Sequence, residues 1–389
     1  MSIYNLISFC GIFVFLFLAW CFSKNKKNIN WRLIFWSFTL QVLFAFFIFN
    51  LPFGEVIFSW INKAVIKLLS FAKVGMLFVF GPLAISPQEP NSLGFILAFQ
   101  ALPSVIFFSA FMAILYYIGL MPKIIKFFAY IFTRLMNISG AEALYTSSQI
   151  VVGIESVFTV RPYIEGMTNS ELCTLLTAGM ATIASTVMAI YVSFLYNYFP
   201  TIAGHLVSAS ILSAPASIVM AKLLYPEDKI PLTLKKTVKP YYSKASNLIE
   251  AVLNASFEGV KLCVGIVALL LAFLGLLSML NWFVYKIGEI LGNFLGISLK
   301  LSLEKILSIF YYPFSFFMGI PLKDIPKVSV LLGERTILTE LVSYQHLADY
   351  IRKGTLTNFR SIVIASYALC GFSHVASLAI FIGGISALV

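Results

Sequence analysis

The chain has 389 residues, of which 60% are hydrophobic and only 11% are charged, and its mean hydropathy is +0.94. This composition excludes a soluble domain, and the continuous apolar runs exclude a transmembrane β-barrel, whose strands alternate apolar and polar residues. The net charge of +11 comes from basic residues in short loops, which is typical of the cytoplasmic side of a membrane protein and not of nucleic-acid binding. We therefore interpret the chain as a polytopic α-helical protein of the lipid bilayer.

The first two apolar segments predict spanning helices over residues 3–22 and 31–50, each close to the roughly 20 residues that a bilayer requires. The loop between them has four basic residues and no acidic one, namely Lys24, Lys26, Lys27 and Arg32. The positive-inside rule places this loop in the cytoplasm and the N-terminus outside. No basic region precedes the first segment, so we interpret it as a mature helix and not as a removed signal peptide.

The next segments alternate between interfacial and spanning patterns. Residues 55–71 have charges at helical spacing among apolar residues, which predicts an amphipathic helix in the outer interface. Residues 92–120 form a third apolar span. Residues 168–198 predict one long helix that opens with a capping box. Its middle, residues 179–186, is rich in small and hydroxylated residues, which is compatible with tight helix packing and with a ligand site.

The remaining segments again include spans, a basic loop and an amphipathic stretch. Residues 202–224 return to the cytoplasm, and the loop over residues 222–244 has six lysines, as expected for a solvated basic linker. An amphipathic segment over residues 247–261 and a span over residues 262–287 follow. Residues 357–388 predict a last long helix, with Ser373, Ser377 and Ile380 on one face and His374 beside them.

Residues 147–163 form an unusual stretch, because Glu155 lies there among apolar residues. A carboxylate at bilayer depth costs several kcal/mol unless it faces protein or water. Irregular backbone is tolerated at that depth only where it is buried in protein or lines a cavity. We interpret the stretch as a re-entrant hairpin whose tip presents Glu155 to a solute. The alternative is a spanning helix with Glu155 near an interface.

A broken hairpin with a glutamate near its tip occurs twice, at about residues 139–163 and again at about residues 301–345, where the glutamate is Glu340. The first hairpin is predicted to enter from inside and the second from outside. Inverted repeats with discontinuous helices are the architecture of secondary transporters. We therefore predict an all-α polytopic membrane protein with inverted repeats, two opposed re-entrant hairpins and discontinuous helices.

The predicted organisation has four parts: scaffold helices with an interfacial helix over residues 1–91, a first transport repeat over 92–224, a basic loop with an amphipathic helix over 225–261, and a second repeat over 262–389. Cysteine and histidine give no metal-binding pattern in this layout. The five cysteines are widely separated, and the three histidines form no HExxH motif. No nucleophile elbow or phosphate-binding loop is present, so we predict neither an enzyme nor a cofactor.

Several short motifs occur in a specific order and spacing. They are Phe99-Gln100-Ala101-Leu102-Pro103, Glu155 followed by Pro162-Tyr163, Gly179-Met180-Ala181-Thr182-Ile183-Ala184, Met318-Gly319-Ile320-Pro321 and Ala368-Leu369-Cys370-Gly371-Phe372. From about residue 75 onward the chain resembles the concentrative nucleoside transporter family. The resemblance implies a homotrimer in the plasma membrane, which is the inner membrane of a bacterium. It also implies that two hairpins and two unwound helices enclose one nucleoside.

The resemblance also implies a set of residues that bind the solute. Gly153, Ile154 and Glu155 take the place of the family's Gln-Thr-Glu, which contacts the nucleobase, so only the glutamate is retained. Losing the amide and the hydroxyl should relax or redirect base selection, since buried polar partners reject analogues that leave them unpaired. Glu340 is expected to hold the ribose hydroxyls, with His374 and Ser377 nearby.

A coupling-ion site is implied at Ser148 and Thr182, together with backbone oxygens of Val151 and Ile183. Ser148 takes the place of the asparagine of sodium-coupled members and has a shorter side chain. Family members that lack this asparagine include proton-coupled ones, and Glu155, Glu340 and His374 are candidates to carry a proton here. The coupling ion is therefore predicted to be H⁺, with Na⁺ as the alternative.

These expectations define the predicted function. The chain should be a secondary active symporter that imports nucleosides or a nucleoside-like solute, driven by an H⁺ or Na⁺ gradient. The alternative is a transport-impaired relative that binds or senses a solute. That alternative arises because family members continue into a further spanning helix where this chain stops at Val389, so the sequence is either shortened or lacks that helix.

Overall fold

The computed structural model describes residues 3–86, 89–236, 238–240, 245–295, 301–375, 377–378 and 382. Within these residues the regular structure is helical, and the only β feature is an isolated bridge between Ser139 and Leu234. The α-helices are α1 (Ile3–Cys21), α2 (Trp31–Asn50), α3 (Pro52–Phe80), α4 (Leu97–Gln100), α5 (Pro103–Tyr117), α6 (Leu120–Met136), α7 (Gly140–Gln149), α8 (Asn169–Ala181), α9 (Ser185–Leu195), α10 (Ile202–Leu224), α11 (Leu248–Leu295), α12 (Leu303–Phe317), α13 (Ile325–Ile337), α14 (Glu340–Arg352) and α15 (Phe359–Leu369).

Seven helical segments in the described part of the chain are long and apolar enough to cross a membrane. They are Ile3–Cys21, Trp31–Asn50, Phe53–Ala84, Leu97–Tyr117, Asn169–Leu195, Ile202–Leu224 and Leu248–Leu291. The prediction of a polytopic all-α membrane protein is therefore confirmed. The bounds predicted for α2 and α10 match the structure, and α1 ends one residue earlier than expected.

Two helices are longer than the sequence pattern indicated. Helix α3 starts at Pro52 and has 29 residues, whereas the amphipathic helix was predicted only over residues 55–71. Proline is well suited to the first turn, where its missing N–H has no intrahelical partner. The amphipathic segment and the span predicted over residues 247–287 form the single 48-residue helix α11.

The long helix predicted over residues 168–198 is wrong, because the structure divides it into α8 and α9. Thr182 and Ala184 between them have extended backbone, with ψ values of 165° and 142°. The Thr182 hydroxyl lies 3.0 Å from the Ala178 carbonyl oxygen, the acceptor that the Thr182 N–H would use in a continuous α-helix. The carbonyl of Thr182 instead accepts from the Phe372 N–H at 3.3 Å.

The last predicted helix also ends early. Helix α15 stops at Leu369, and residues 370–374 are not helical. Ser373 and His374 therefore do not share a helix face with Ser377, contrary to the prediction. Ile380 lies outside the described residues.

The chain folds as two compact units. The hairpin-1 unit comprises residues 16–263, 370–372 and 377–389, and the hairpin-2 unit comprises residues 1–15, 264–369 and 373–376. In the hairpin-1 unit, α10 packs against α2, α3 and α8, while α7 packs against α6 and α8. In the hairpin-2 unit, α13 packs against α12, α14 and α15.

Candidate functional site

Hairpin 1 is formed by α7 and by a 3₁₀ segment over Gly153–Gly166. Helix α7 begins with a capping box, in which the Ser139 hydroxyl accepts from the Glu142 N–H and the Glu142 carboxylate accepts from the Ser139 N–H. Every residue of α7 is buried, including the run of hydroxyls before Gln149. This hairpin lies close to the predicted bounds of residues 139–163.

The tip of hairpin 1 packs directly against the break between α8 and α9. Gly153 has a φ of +75°, a conformation that L side chains rarely adopt. A Cβ atom at Gly153 would lie 2.6 Å from the Cβ and 2.7 Å from the Cα of Ala184. Next to this contact, the Val151 carbonyl accepts from the Ser185 N–H at 3.2 Å and from the Ser185 hydroxyl. Glycine is thus required here both by the turn and by the close approach.

Gln149 connects hairpin 1 to the same break through its side chain. Its Oε1 accepts from the Thr182 hydroxyl at 2.9 Å, and its Nε2 donates to the Tyr145 hydroxyl at 2.6 Å. All three side chains are fully buried or nearly so. The result is a neutral hydrogen-bonded chain from α7 to the end of α8.

Two of the residues predicted for an ion site, Ser148 and Thr182, have different side-chain hydrogen-bond partners in the structure. The Ser148 hydroxyl donates to the Leu144 carbonyl at 2.8 Å and lies 3.4 Å from the Thr159 hydroxyl. The side chain that contacts Thr182 is therefore Gln149 and not its neighbour Ser148. Val151 and Ile183 lie at the same end of hairpin 1, since Val151 bonds to Ser185 and Ile183 is buried within the break.

The basic loop is not simply a solvated linker, which corrects the sequence interpretation. Its residues 231–236 and 238–239, which we call the strap, lie against the start of hairpin 1. The Thr233 carbonyl accepts from the Gly140 N–H at 2.8 Å, and the Thr233 hydroxyl accepts from the Ala141 N–H at 3.2 Å. These are N–H groups of the first turn of α7, which have no intrahelical partner. The Lys239 carbonyl also accepts from the Tyr163 hydroxyl at 3.2 Å.

Hairpin 2 is formed by α13 and α14, with its turn at Leu338 and Thr339. Glu340, the first residue of α14, lies beside His374, with 3.7 Å between Glu340 Oε2 and His374 Nε2. The two side chains are only 2% and 1% exposed. The hydroxyl of Thr339 is also buried and has no hydrogen-bond partner among the described residues.

Two further contacts, neither of which involves Glu340, stabilise hairpin 2. The Arg335 Nη1 donates to the Ala368 carbonyl, where a cation complements the C-terminal end of α15. The His346 Nδ1 lies 2.9 Å from Glu334 Oε2, so this pair joins the two arms of the hairpin. His346 lies outside the seven spanning segments, and its hydrogen bond to the Glu334 carboxylate raises the pKa of the imidazole.

Three predicted solute ligands remain. Ile154 and Glu155 follow Gly153 in the 3₁₀ segment, and their side chains lie outside the described residues. The Ser377 hydroxyl donates to the Phe372 carbonyl at 2.7 Å. Ser377 and Phe372 belong to the hairpin-1 unit, as does Thr182.

Family models match most of the chain. Residues 10–83 match the N-terminal part of the Na⁺-dependent nucleoside transporters, and residues 205–389 match their C-terminal part. Residues 98–197 match a gate domain described as nucleoside recognition. The structure is also similar to that of CNTnw in an inward-facing substrate-bound state, with a TM-score of 0.89 and 29% identity over 100% of this chain and 90% of that one.

The chain belongs to the concentrative nucleoside transporter family. A CNTnw variant in an intermediate state is 30% identical, with a TM-score of 0.87 over 98% of this chain and 90% of that one. Mouse solute carrier family 28 member 3 is 38% identical over 99% of this chain and 54% of its own length. Rat sodium/nucleoside cotransporter 1 is 34% identical over 99% of this chain and 59% of its own length. The chain thus spans little more than half the length of these curated relatives.

Membership of the concentrative nucleoside transporter family confirms the resemblance stated from the motifs. It also confirms that the chain is not an enzyme, because the family consists of transporters. The family name specifies a coupling ion and no cofactor. Gln149 is the residue that sequence reasoning missed. The sequence signal for Gln149 was an amide residue directly after the run of hydroxyl residues, at the C-terminal end of α7, where its side chain can reach the segment that follows.

Proposed function

We propose that this protein is a secondary active symporter that imports a nucleoside, driven by an ion gradient. The observation that carries the proposal is the buried polar group at the turn of hairpin 2. There the Glu340 carboxylate and the His374 imidazole lie within 3.7 Å, next to the Thr339 hydroxyl that has no protein partner among the described residues.

A buried hydroxyl without a hydrogen bond costs about 1–3 kcal/mol. A solute with adjacent hydroxyls would remove this cost, because one hydroxyl can donate to the Glu340 carboxylate while another bonds to Thr339. A ribose carries such a pair of hydroxyls. Hydrogen bonds to a carboxylate are roughly twice as strong as neutral ones, so Glu340 would contribute most of the affinity for the sugar.

The base is proposed to lie against Gly153, Ile154 and Glu155 at the tip of hairpin 1, with Ser377 completing the polar groups. The backbone at Gly153 is held tightly by Ala184, so this tip is preorganised. A preorganised tip lowers the ordering cost of binding. With one glutamate and no amide or hydroxyl in these three positions, base selection is proposed to be broad.

For the coupling ion we propose H⁺. Carboxylates and histidines inside membrane proteins commonly form proton relays, and the candidates here are Glu155 at the tip of hairpin 1 and the neighbouring Glu340 and His374 of hairpin 2. At the end of hairpin 1, by contrast, the Thr182 hydroxyl and the Val151 carbonyl are engaged by Gln149 and Ser185. The Val151 carbonyl already accepts two hydrogen bonds from Ser185, so a sodium ion would compete with Ser185 for it, although the oxygen donors there are of the right chemical type. Na⁺ coupling, which the family name describes, is the competing outcome.

We also propose a homotrimer in the plasma membrane, the inner membrane in a bacterium, with the N-terminus outside. The orientation follows from the four basic residues in the loop over residues 24–32.

Binding and flux must be measured together to test this function. Purified protein should bind uridine by calorimetry, and the same protein in proteoliposomes should accumulate labelled uridine when the outside is acidified. Binding without flux would instead support the solute sensor. Neither binding nor flux, with uridine, adenosine and inosine all tested, would contradict nucleoside transport.

A further inference from the structure

A buried ammonium group lies at the base of hairpin 1, far along the chain from the residues that bind solute. Lys222 in α10 has a side chain only 6% exposed, and its Nζ lies 2.5 Å from the Oε1 of Glu142. The same Nζ donates to the Ser170 hydroxyl at 2.9 Å and to the Glu227 carboxylate at 3.3 Å. All three N–H donors of the ammonium group therefore have partners.

The partner carboxylate is equally well satisfied. Glu142 in α7 is 1% exposed, and its Oε1 also accepts from the Thr174 hydroxyl of α8 at 2.8 Å. Its other oxygen caps the Ser139 N–H. Side chains from α7, α8 and α10 thus meet at one point, and a buried pair of this kind costs little only when every charge is compensated.

Side-chain hydrogen bonds tie α7 to α8 here and again at the far end of α7. Glu142 bonds to Thr174 at the start of α7, and Gln149 bonds to Thr182 at its end. As α7 advances from Glu142 to Gln149, the partner residue advances from Thr174 to Thr182, so the two helices run in the same direction. At 1.5 Å per residue the ties lie about 10 Å apart along α7 and about 12 Å apart along α8.

We propose that Lys222 is a positioning residue for solute binding, a role that rests on the proposed transport function. By neutralising Glu142 it fixes the axial register of α7 on α8, and this register sets where the tip of hairpin 1 meets the break between α8 and α9. Since Gly153 and Ala184 have no spare space between them, a small slip of α7 displaces the tip. The effect of Lys222 on solute affinity is therefore indirect.

The register can be read by cross-linking at the tip. Val151→Cys and Ser185→Cys, in a background without the five native cysteines, replace two residues whose backbones are hydrogen-bonded at 3.2 Å. Lys222→Met should slow oxidative cross-linking of this pair several-fold, since Glu142 then lacks its cation. Adding Glu142→Gln to Lys222→Met removes both charges and should restore the rate most of the way. Thr177→Val, elsewhere on α8, should leave the rate unchanged.

Uridine uptake gives the second readout. Lys222→Met and Glu142→Gln should each raise KM about tenfold, as expected for losing one charged contact, and the double variant should lie closer to wild type. Thr174→Val, a mild change that leaves the ion pair in place, should raise KM several-fold. If the charge variants do not fold, Lys222→Arg with the cross-linking pair takes their place: it keeps the cation but changes its geometry on Glu142, so it should slow cross-linking, and an unchanged rate would contradict the proposal.

A structural role without positioning would lower the yield of folded protein and leave both KM and the cross-linking rate of the folded fraction at wild-type values. That result would overturn the proposal. Failure of the transport function is distinguishable, because wild-type protein would then show no uridine uptake, whereas the cross-linking rates would still report whether Lys222 sets the register.

Discussion

Gly153 is the residue on which the tip of hairpin 1 depends most, because it has a φ of +75° and a Cβ atom added to it would lie 2.7 Å from the Cα of Ala184. Gly153→Ala should therefore reduce nucleoside uptake at least about tenfold, since the added Cβ must push hairpin 1 off the break and adopt a strained backbone. Uptake by equal amounts of reconstituted protein measures this. Gly265→Ala is the matched control, as nothing lies within 4 Å of a Cβ at Gly265. Equal losses in both variants would contradict the tip contact.

The negative charge of Glu340 should contribute strongly to the affinity for uridine. Glu340→Gln keeps the shape of the side chain but loses the charge-assisted hydrogen bonds, so the affinity for uridine should fall about tenfold or more. The loss should exceed that of Glu340→Asp, which keeps the charge and only shortens the side chain. Titration calorimetry with uridine and with 3′-deoxyuridine shows whether the 3′-hydroxyl of the ribose is the group that bonds to Glu340. Glu340→Gln should nearly abolish the difference between the two ligands. A variant that binds uridine as tightly as wild type would show that Glu340 does not hold the ribose.

At the residue scale, the sequence predicted the hydroxyl run of α7 but not which side chain faces the break. Successive helix residues point about 100° apart, so Ser148 and Gln149 differ strongly in direction. Which residue faces the break depends on the phase of α7 against α8, and by our proposal Lys222, which lies much further along the chain, sets that phase through its contact with Glu142. A motif carried over from a family cannot supply that phase.

The strap is the element that the sequence misjudged, and it offers a direct test. A Cβ at Gly140 would lie 1.9 Å from the Lys236 carbonyl oxygen, so Gly140→Ala should displace the strap. Trypsin should then cleave after Lys235 or Lys236 several-fold faster in detergent-solubilised protein. Gly75→Ala, where a Cβ meets nothing within 4 Å, should leave the cleavage rate unchanged. Unaltered cleavage in Gly140→Ala would show that the strap is not held by this contact.

Helix ends that depend on local chemistry were predictable, and those that depend on distant partners were not. The capping box of α8 and the bounds of α2 and α10 follow from the sequence pattern. The break at Thr182 requires an N–H from Phe372, which lies 190 residues further on. The end of α15 at Leu369 is likewise invisible in hydropathy, because the residues beyond it remain apolar.

At the scale of the whole molecule, the charge distribution predicts the topology. Lys26→Cys and Lys236→Cys should be protected from an impermeant thiol reagent added to intact cells, because basic loops stay in the cytoplasm. Asn91→Cys, on the predicted outer side, should label readily. The background must lack the native cysteines, of which Cys10 and Cys21 are exposed. External labelling of either lysine position would contradict the predicted orientation.

The most direct test of the account is uptake of labelled uridine into proteoliposomes that contain only this protein, measured across a grid of external pH and Na⁺. We predict accumulation against the uridine gradient that rises as external pH falls from about 7.5 to about 5.5, with little dependence on Na⁺. Glu155→Gln should abolish the pH-driven accumulation while leaving exchange of uridine across the membrane. Strict Na⁺ dependence with a flat pH response would contradict proton coupling, and no accumulation under any gradient would contradict transport.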